Sequence, residues 1–124
     1  MAEPPSFTTF VGDGEYKLCL PPELIEELER KLNAGIGGIA KRLFSSDFRH
    51  AEITETIRLA LIGGGERPQT AAALVSTYIA PRPIIETLPL AIATLETVWF
   101  GRPQQDDEGK PVNLKDLDHL GDEA

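Results

Sequence analysis

Cysteine is almost missing from this 124-residue chain. Cys19 stands alone, which excludes an internal disulfide and any cysteine-based zinc site and fits a reducing compartment. Histidine is nearly as scarce. His50 and His119 lie far apart in the sequence, and neither has a second ligand at i+3 or i+4 on a clearly patterned helix, so metal binding and imidazole acid–base catalysis both lack a basis. Basic charge is short as well: 12 Lys and Arg face 20 Asp and Glu, for a net charge of -8. That balance opposes generic binding to nucleic acid or to an anionic membrane, both of which need a basic surface. No uncharged stretch approaches the ~18 apolar residues of a spanning helix. No basic segment precedes an apolar run, so no signal peptide is expected and the expected location is the cytoplasm.

What remains is an ordinary globular composition, 41% hydrophobic and 26% charged, of a length that suits one domain. Residues 1–6, with Pro4 and Pro5, read as a flexible leader. Phe7–Val11 and Glu15–Leu20 are strand-type runs separated by Gly12-Asp13-Gly14, which predicts a hairpin with a three-residue, bulge-type turn. Pro21-Pro22 then opens a helix with a Leu24, Ile25, Leu28, Leu32 stripe, and Asn33-Ala34-Gly35 stops it. A short second helix carries Ile36, Ile39, Ala40 and Leu43 and breaks at Ser45-Ser46-Asp47.

A third helix, about 51–62, puts Ile53, Ile57, Ala60 and Leu61 inward and Glu52, Glu55 and Arg58 outward, and ends at Gly63-Gly64-Gly65. Pro68 opens a fourth, with Ala71, Leu74, Val75, Tyr78 and Ile79 in phase and small residues, Ala71 to Ala73, suited to close approach. The fifth, about 83–100, has a wide apolar face of Ile84, Leu88, Ala91, Ile92, Leu95, Val98 and Trp99, with Glu86, Ala93, Thr94 and Thr97 opposite. Pro89 falls on its polar flank, where a bend wraps the helix around a core. Residues 102–124 hold seven acids and three bases with few large apolar residues, the composition of a disordered acidic tail.

No pattern of residues carries catalysis. The glycines at 63–65 follow a helix and precede Glu66-Arg67-Pro68, whereas a phosphate loop follows a strand and ends in Lys-Ser/Thr. Asp106-Asp107-Glu108-Gly109 lacks the alternating oxygen ligands of a calcium loop. Cys19 has no base beside it in sequence, and no serine sits in a nucleophile elbow. Lys41, Arg42 and Arg49 form at most a small positive patch. The reading is therefore a non-enzymatic binding protein with no catalytic residue, no cofactor and no metal.

Taken together, Gly14-Glu15-Tyr16-Lys17-Leu18, the acidic helix Ile25-Glu26-Glu27-Leu28-Glu29, Gly35-Ile36-Gly37-Gly38-Ile39-Ala40-Lys41-Arg42-Leu43, Ile57–Gly65 and the ending Trp99-Phe100-Gly101 resemble the small tail proteins of gene transfer agents and related prophages, which are grouped with phage tail assembly chaperones. The resemblance spans about residues 12–101. It implies a role in building a phage-like tail, with the tape-measure protein and the tail tube protein as partners. Some members of that group are labelled tube proteins instead, so a structural tube or tail-end role is the alternative. A small regulatory or toxin-neutralising helical protein is a second alternative. One hairpin and five helices favour the chaperone over a tube subunit, since tube rings stack through sheets.

The expected fold is mainly α (α+β): one helical domain at 7–101 with an N-terminal β-hairpin, then the tail at 102–124. Its core should draw on Leu18, Leu28, Leu32, Ile39, Leu43, Ile57, Leu61, Leu74, Val75, Ile79, Leu88, Leu95 and Trp99. A partner helix would lie in an apolar groove along the flanks of the fourth and fifth helices, with Ile85, Ile92, Trp99 and Phe100 as partner-binding residues. Aromatics near a helix end are candidate anchors. The partners are other proteins, a second copy of the chain among them, and neither nucleic acid nor membrane.

Overall fold

The computed structural model of the chain describes residues 3–104. The tail expected over 102–124 lies, from residue 105 onward, outside the described residues, as do the first two residues of the leader. The order is β1 (Ser6–Val11), β2 (Gly14–Cys19), α1 (Pro22–Leu32), α2 (Ile36–Phe44), α3 (His50–Gly63), α4 (Pro68–Tyr78) and α5 (Ile84–Phe100). Ser6 is thus part of β1 and not of the leader. Five helices and an N-terminal hairpin are the architecture that periodicity and punctuation predict.

β1 and β2 pair antiparallel, with Phe7 opposite Leu18, Thr9 opposite Tyr16 and Val11 opposite Gly14. The turn therefore has two residues, Gly12 and Asp13, and not the three-residue bulged form expected. Gly12 takes φ +62 while Asp13 does not share a positive φ. Positive φ at the first central position alone is the type II′ choice, whose twist suits a hairpin. A Cβ on Gly12 would lie 2.1 Å from the Tyr78 ring, so two independent constraints require glycine. The Tyr16 hydroxyl donates to Asp13 Oδ1 at 2.6 Å and ties the turn to β2.

Local signals set the helix ends. Proline begins α1 and α4, where its missing N–H costs no helical bond. Asn33 adopts the left-handed conformation after α1 (φ 53), and Gly101 does so after α5 (φ 88), each ending its helix as expected. The Ser45-Ser46-Asp47 break contains Ser46 at φ 62.

α3 is the hub: it packs against β2 and against every other helix, while α5 packs on α2, α3 and both strands. The core runs through Leu18, Leu28, Ile39, Leu43, Ile53, Ile57, Leu61, Leu88, Ile92 and Leu95, each at most 1% exposed. Leu32, Leu74, Val75 and Ile79 join it. Trp99 does not. It is 50% exposed, because α5 extends past the elements that cover its middle, and a residue in phase with the core face then meets solvent.

Three outward assignments also fail. Ala93, Thr94 and Thr97 are buried, since α5 packs against β1, β2, α2 and α3 and little of its middle is left to solvent. The threonines are accommodated because each hydroxyl donates to a carbonyl one turn back: Thr94 to Leu90 at 2.9 Å and Thr97 to Ala93 at 2.8 Å. Pro89 sits within α5. It removes a helical bond to the Ile85 carbonyl, at a residue that is 68% exposed, so water can satisfy the oxygen left over.

Glu52 is a fourth exception, completely buried instead of outward. Its Oε2 accepts the Arg49 N–H at 2.8 Å, capping α3, and its Oε1 accepts from Arg42 Nε at 2.8 Å. Arg49 in turn donates to the Leu32 carbonyl at 3.1 Å. One carboxylate therefore joins the ends of α1, α2 and α3. Two of the three cations of the supposed basic patch are consumed in this junction.

Candidate interaction surface

The large apolar side chains that remain exposed among the described residues are Phe10, Ile84, Ile85, Trp99 and Phe100. All five belong to β1 or α5. Singly scattered exposed hydrophobics are ordinary, so what singles these out is their confinement to two elements. α5 produces it by its length: Thr87, Leu88 and Ala91 to Thr97 are buried, and both ends of the helix reach solvent.

Of the predicted partner-binding residues, Ile85 (68%), Trp99 (50%) and Phe100 (60%) reach solvent. Ile92 does not. At 1% exposure it is a core residue, because it shares its helical side with Leu88 and Leu95, which face α3. Ile85 and the aromatic pair occupy opposite ends of a 17-residue helix, roughly 20 Å apart at 1.5 Å per residue. They do not form one site.

A depression of about 350 Å³ runs between β1 and α5 and is lined by Phe7, Thr8, Thr9, Phe10, Glu86, Pro89, Leu90, Ala93 and Pro103. A smaller one of about 200 Å³ continues past Phe10 and Leu90 to Tyr78, Ile79 and Arg82 at the end of α4. Phe10 was missed in the sequence. Strand alternation carries the signal: Phe7, Thr9 and Val11 share the inward face with Leu18 and Tyr16. Phe10 thus belongs to the outer face with Thr8, opposite Glu15, where an aromatic residue is out of pattern.

The electrostatics around this surface are structural. Glu96, near the aromatic end of α5, is 7% exposed and accepts only the Gln104 N–H, at 3.1 Å. Burial pushes its carboxyl above the usual range, and that hydrogen bond only partly opposes the shift. Burial pushes Glu52 upward too, but the bonds from Arg42 and the Arg49 backbone prevail and hold it below the ordinary carboxylate value. Burial raises the Cys19 thiol, so it is not an activated nucleophile. His50 is exposed at the start of α3, while His119 lies outside the described residues. Among the described residues no three His, Cys, Asp or Glu side chains gather as metal ligands.

No helix among the described residues is long and apolar enough to cross a membrane. The fold defines a small helical protein with an N-terminal hairpin. The family model described as "phage tail tube protein, GTA-gp10" matches residues 5–101, and the chain belongs to that family of gene-transfer-agent tail proteins. The match covers the hairpin and all five helices, and it supports a structural tail role better than the chaperone role. No curated protein and no solved structure matches the chain.

Proposed function

We propose that this protein is a non-enzymatic structural component of a phage-like tail, at the tube or its end, that docks on other tail proteins through β1 and the projecting ends of α5. Its family match over residues 5–101 carries the reading. Support comes from the exposed Phe10, Ile85, Trp99 and Phe100, since aromatic anchors on a folded scaffold dominate protein–protein contacts. Residues 7–101 act as the binding domain, and neighbouring tail subunits, copies of this chain included, are the partners.

The second reading is an assembly factor that binds the tape-measure protein or tube subunits before polymerisation. It is favoured by the two-stranded sheet of the described residues, which offers little to a ring that stacks through sheets. Purified particles separate the two. Mass spectrometry and labelled electron microscopy should find this chain in finished tails at a stoichiometry of at least one ring. Its absence there, with co-purification of the tape-measure protein from cells, would establish the assembly factor instead.

A further inference from the structure

We propose that the groove between β1 and α5 accepts an extended segment of a partner protein as a third strand, and that the segment has apolar residues at alternate positions and a basic flank. The inference is independent of the tail reading: it concerns the form of ligand this surface takes.

Backbone geometry carries the first half. The Lys17 and Cys19 carbonyls turn away from β1 toward the end of α3, where they crowd Gly64 and Gly63. In an antiparallel pair, a residue that directs its carbonyl away from its neighbour strand sits in a non-hydrogen-bonded pair, and the residue opposite does the same. Opposite Cys19, Lys17 and Glu15 stand Ser6, Thr8 and Phe10. These three therefore point their N–H and C=O groups at the other edge of β1, and the sheet has no further strand there among the described residues. Natural edges are usually blunted by charge, proline or shortness. β1 is Ser-Phe-Thr-Thr-Phe-Val, six residues without a charge or a proline. Beside that edge, Pro89, Leu90 and Ala93 of α5 form an apolar floor. A strand added there would gain main-chain hydrogen bonds and place every second side chain on this floor.

The chain's path carries the second half. Pro103 lines the groove, and Gln104 is pinned to Glu96. The twenty residues that follow contain seven acids and two bases, so -5 of the net -8 is tethered at one mouth of a groove whose one charged lining residue, Glu86, is also acidic. A second copy would bring the same acidic segment and be repelled. A strand with a basic flank would be drawn in and oriented.

The test uses the full chain and a synthetic peptide, three lysines followed by alternating valine and threonine. Amide hydrogen exchange should show Thr8 and Phe10 fast in the free protein and slowed at least tenfold by peptide, with a Kd tighter than about 1 mM. Replacing the seven acids after Gln104 with Asn and Gln should weaken binding roughly tenfold and remove most of its salt dependence. Thr8→Pro, which deletes an edge donor, should abolish binding. If that variant fails to fold, Ala93→Leu, which fills the groove from α5, decides in its place. The proposal is overturned by no detectable binding, by binding that survives the groove variants, or by protection elsewhere than β1. Thr8 and Phe10 amides already protected in the dilute free chain would show that its own tail fills the groove. Protection that rises with protein concentration alone would show a second copy there. Either result refutes the partner strand.

Discussion

Adding one methyl group at Gly63 or Gly64 should do what a Gly→Ala change near a helix end normally does not: unfold the hairpin's contact with the body. A Cβ at Gly63 would stand 1.9 Å from the Cys19 carbonyl oxygen and 2.8 Å from Pro21 Cδ; at Gly64 it would stand 1.8 Å from the Lys17 carbonyl oxygen. Ordinary contact needs ~3.5 Å, so each methyl demands about 1.5 Å of separation between α3 and β2. The obstacle is backbone on both sides and cannot rotate away. Either β2 lifts or the end of α3 shifts, and both movements disturb Leu18 and Leu61, which are fully buried. Overpacking costs about 1–3 kcal/mol, while the intrinsic helix gain of alanine over glycine returns only about 0.5–1.

The expected net loss for either variant is about 1 kcal/mol, or a fall of about 6 °C in Tm for a domain of this size. Gly37→Ala is the control. That glycine lies in the first turn of α2 with nothing within 4 Å of the added methyl, so a gain of up to ~0.5 kcal/mol is expected. Thermal and urea unfolding of the three variants measure the contrast. If Gly63→Ala and Gly64→Ala unfold at or above the wild-type midpoint, the close approach of α3 to β2 is wrong.

Glu52→Gln should cost about 2–3 kcal/mol at neutral pH, toward the low end for a broken buried pair because Arg42 remains one-third exposed. Since the Glu52 pKa is depressed on folding, its contribution is complete above the unfolded carboxylate value. The wild-type advantage should therefore close as pH falls through the folded value, which urea unfolding across pH 2–7 would follow. Glu96 has the opposite sign. Its pKa is raised, so the ionised form opposes folding at neutral pH, and Glu96→Gln should raise the Tm there, with the gain vanishing on acidification. Ile92→Ala should lose about 2–5 kcal/mol, whereas Ile85→Ala should stay within about 0.5, and equal losses would contradict the placement of the two isoleucines.

What was legible in the sequence was local. Helix periods, proline starts and the Asn33 and Gly101 stops depend on neighbours within a turn or two, so the five helices and the hairpin could be read directly. Most of the core followed, because Leu18, Ile57 and Leu95 lie on stripes wide enough to survive small errors of phase. The candidate site was only half legible: a long apolar helix ending in Trp99-Phe100 stood out, but which of its residues would be covered did not. Ile92 and Trp99 lie on the same stripe of α5, and only the surrounding elements put one at 1% exposure and the other at 50%. Periodicity gives direction around an axis and carries no information about where a neighbour stops.

The same limit explains the polar misreadings. Glu52, Thr94 and Thr97 were assigned outward by residue type, yet each is buried because partners distant in sequence or carbonyls one turn back satisfy it. The three glycines after α3 read as a helix stop, which they are. That two of them must also be glycine to admit the β2 backbone is a fact of packing between residues more than 40 positions apart. Composition and short-range pattern thus determined which elements form. Tertiary structure alone decided which faces of α5 and β1 are left for a partner, because burial depends on where elements end against one another in space.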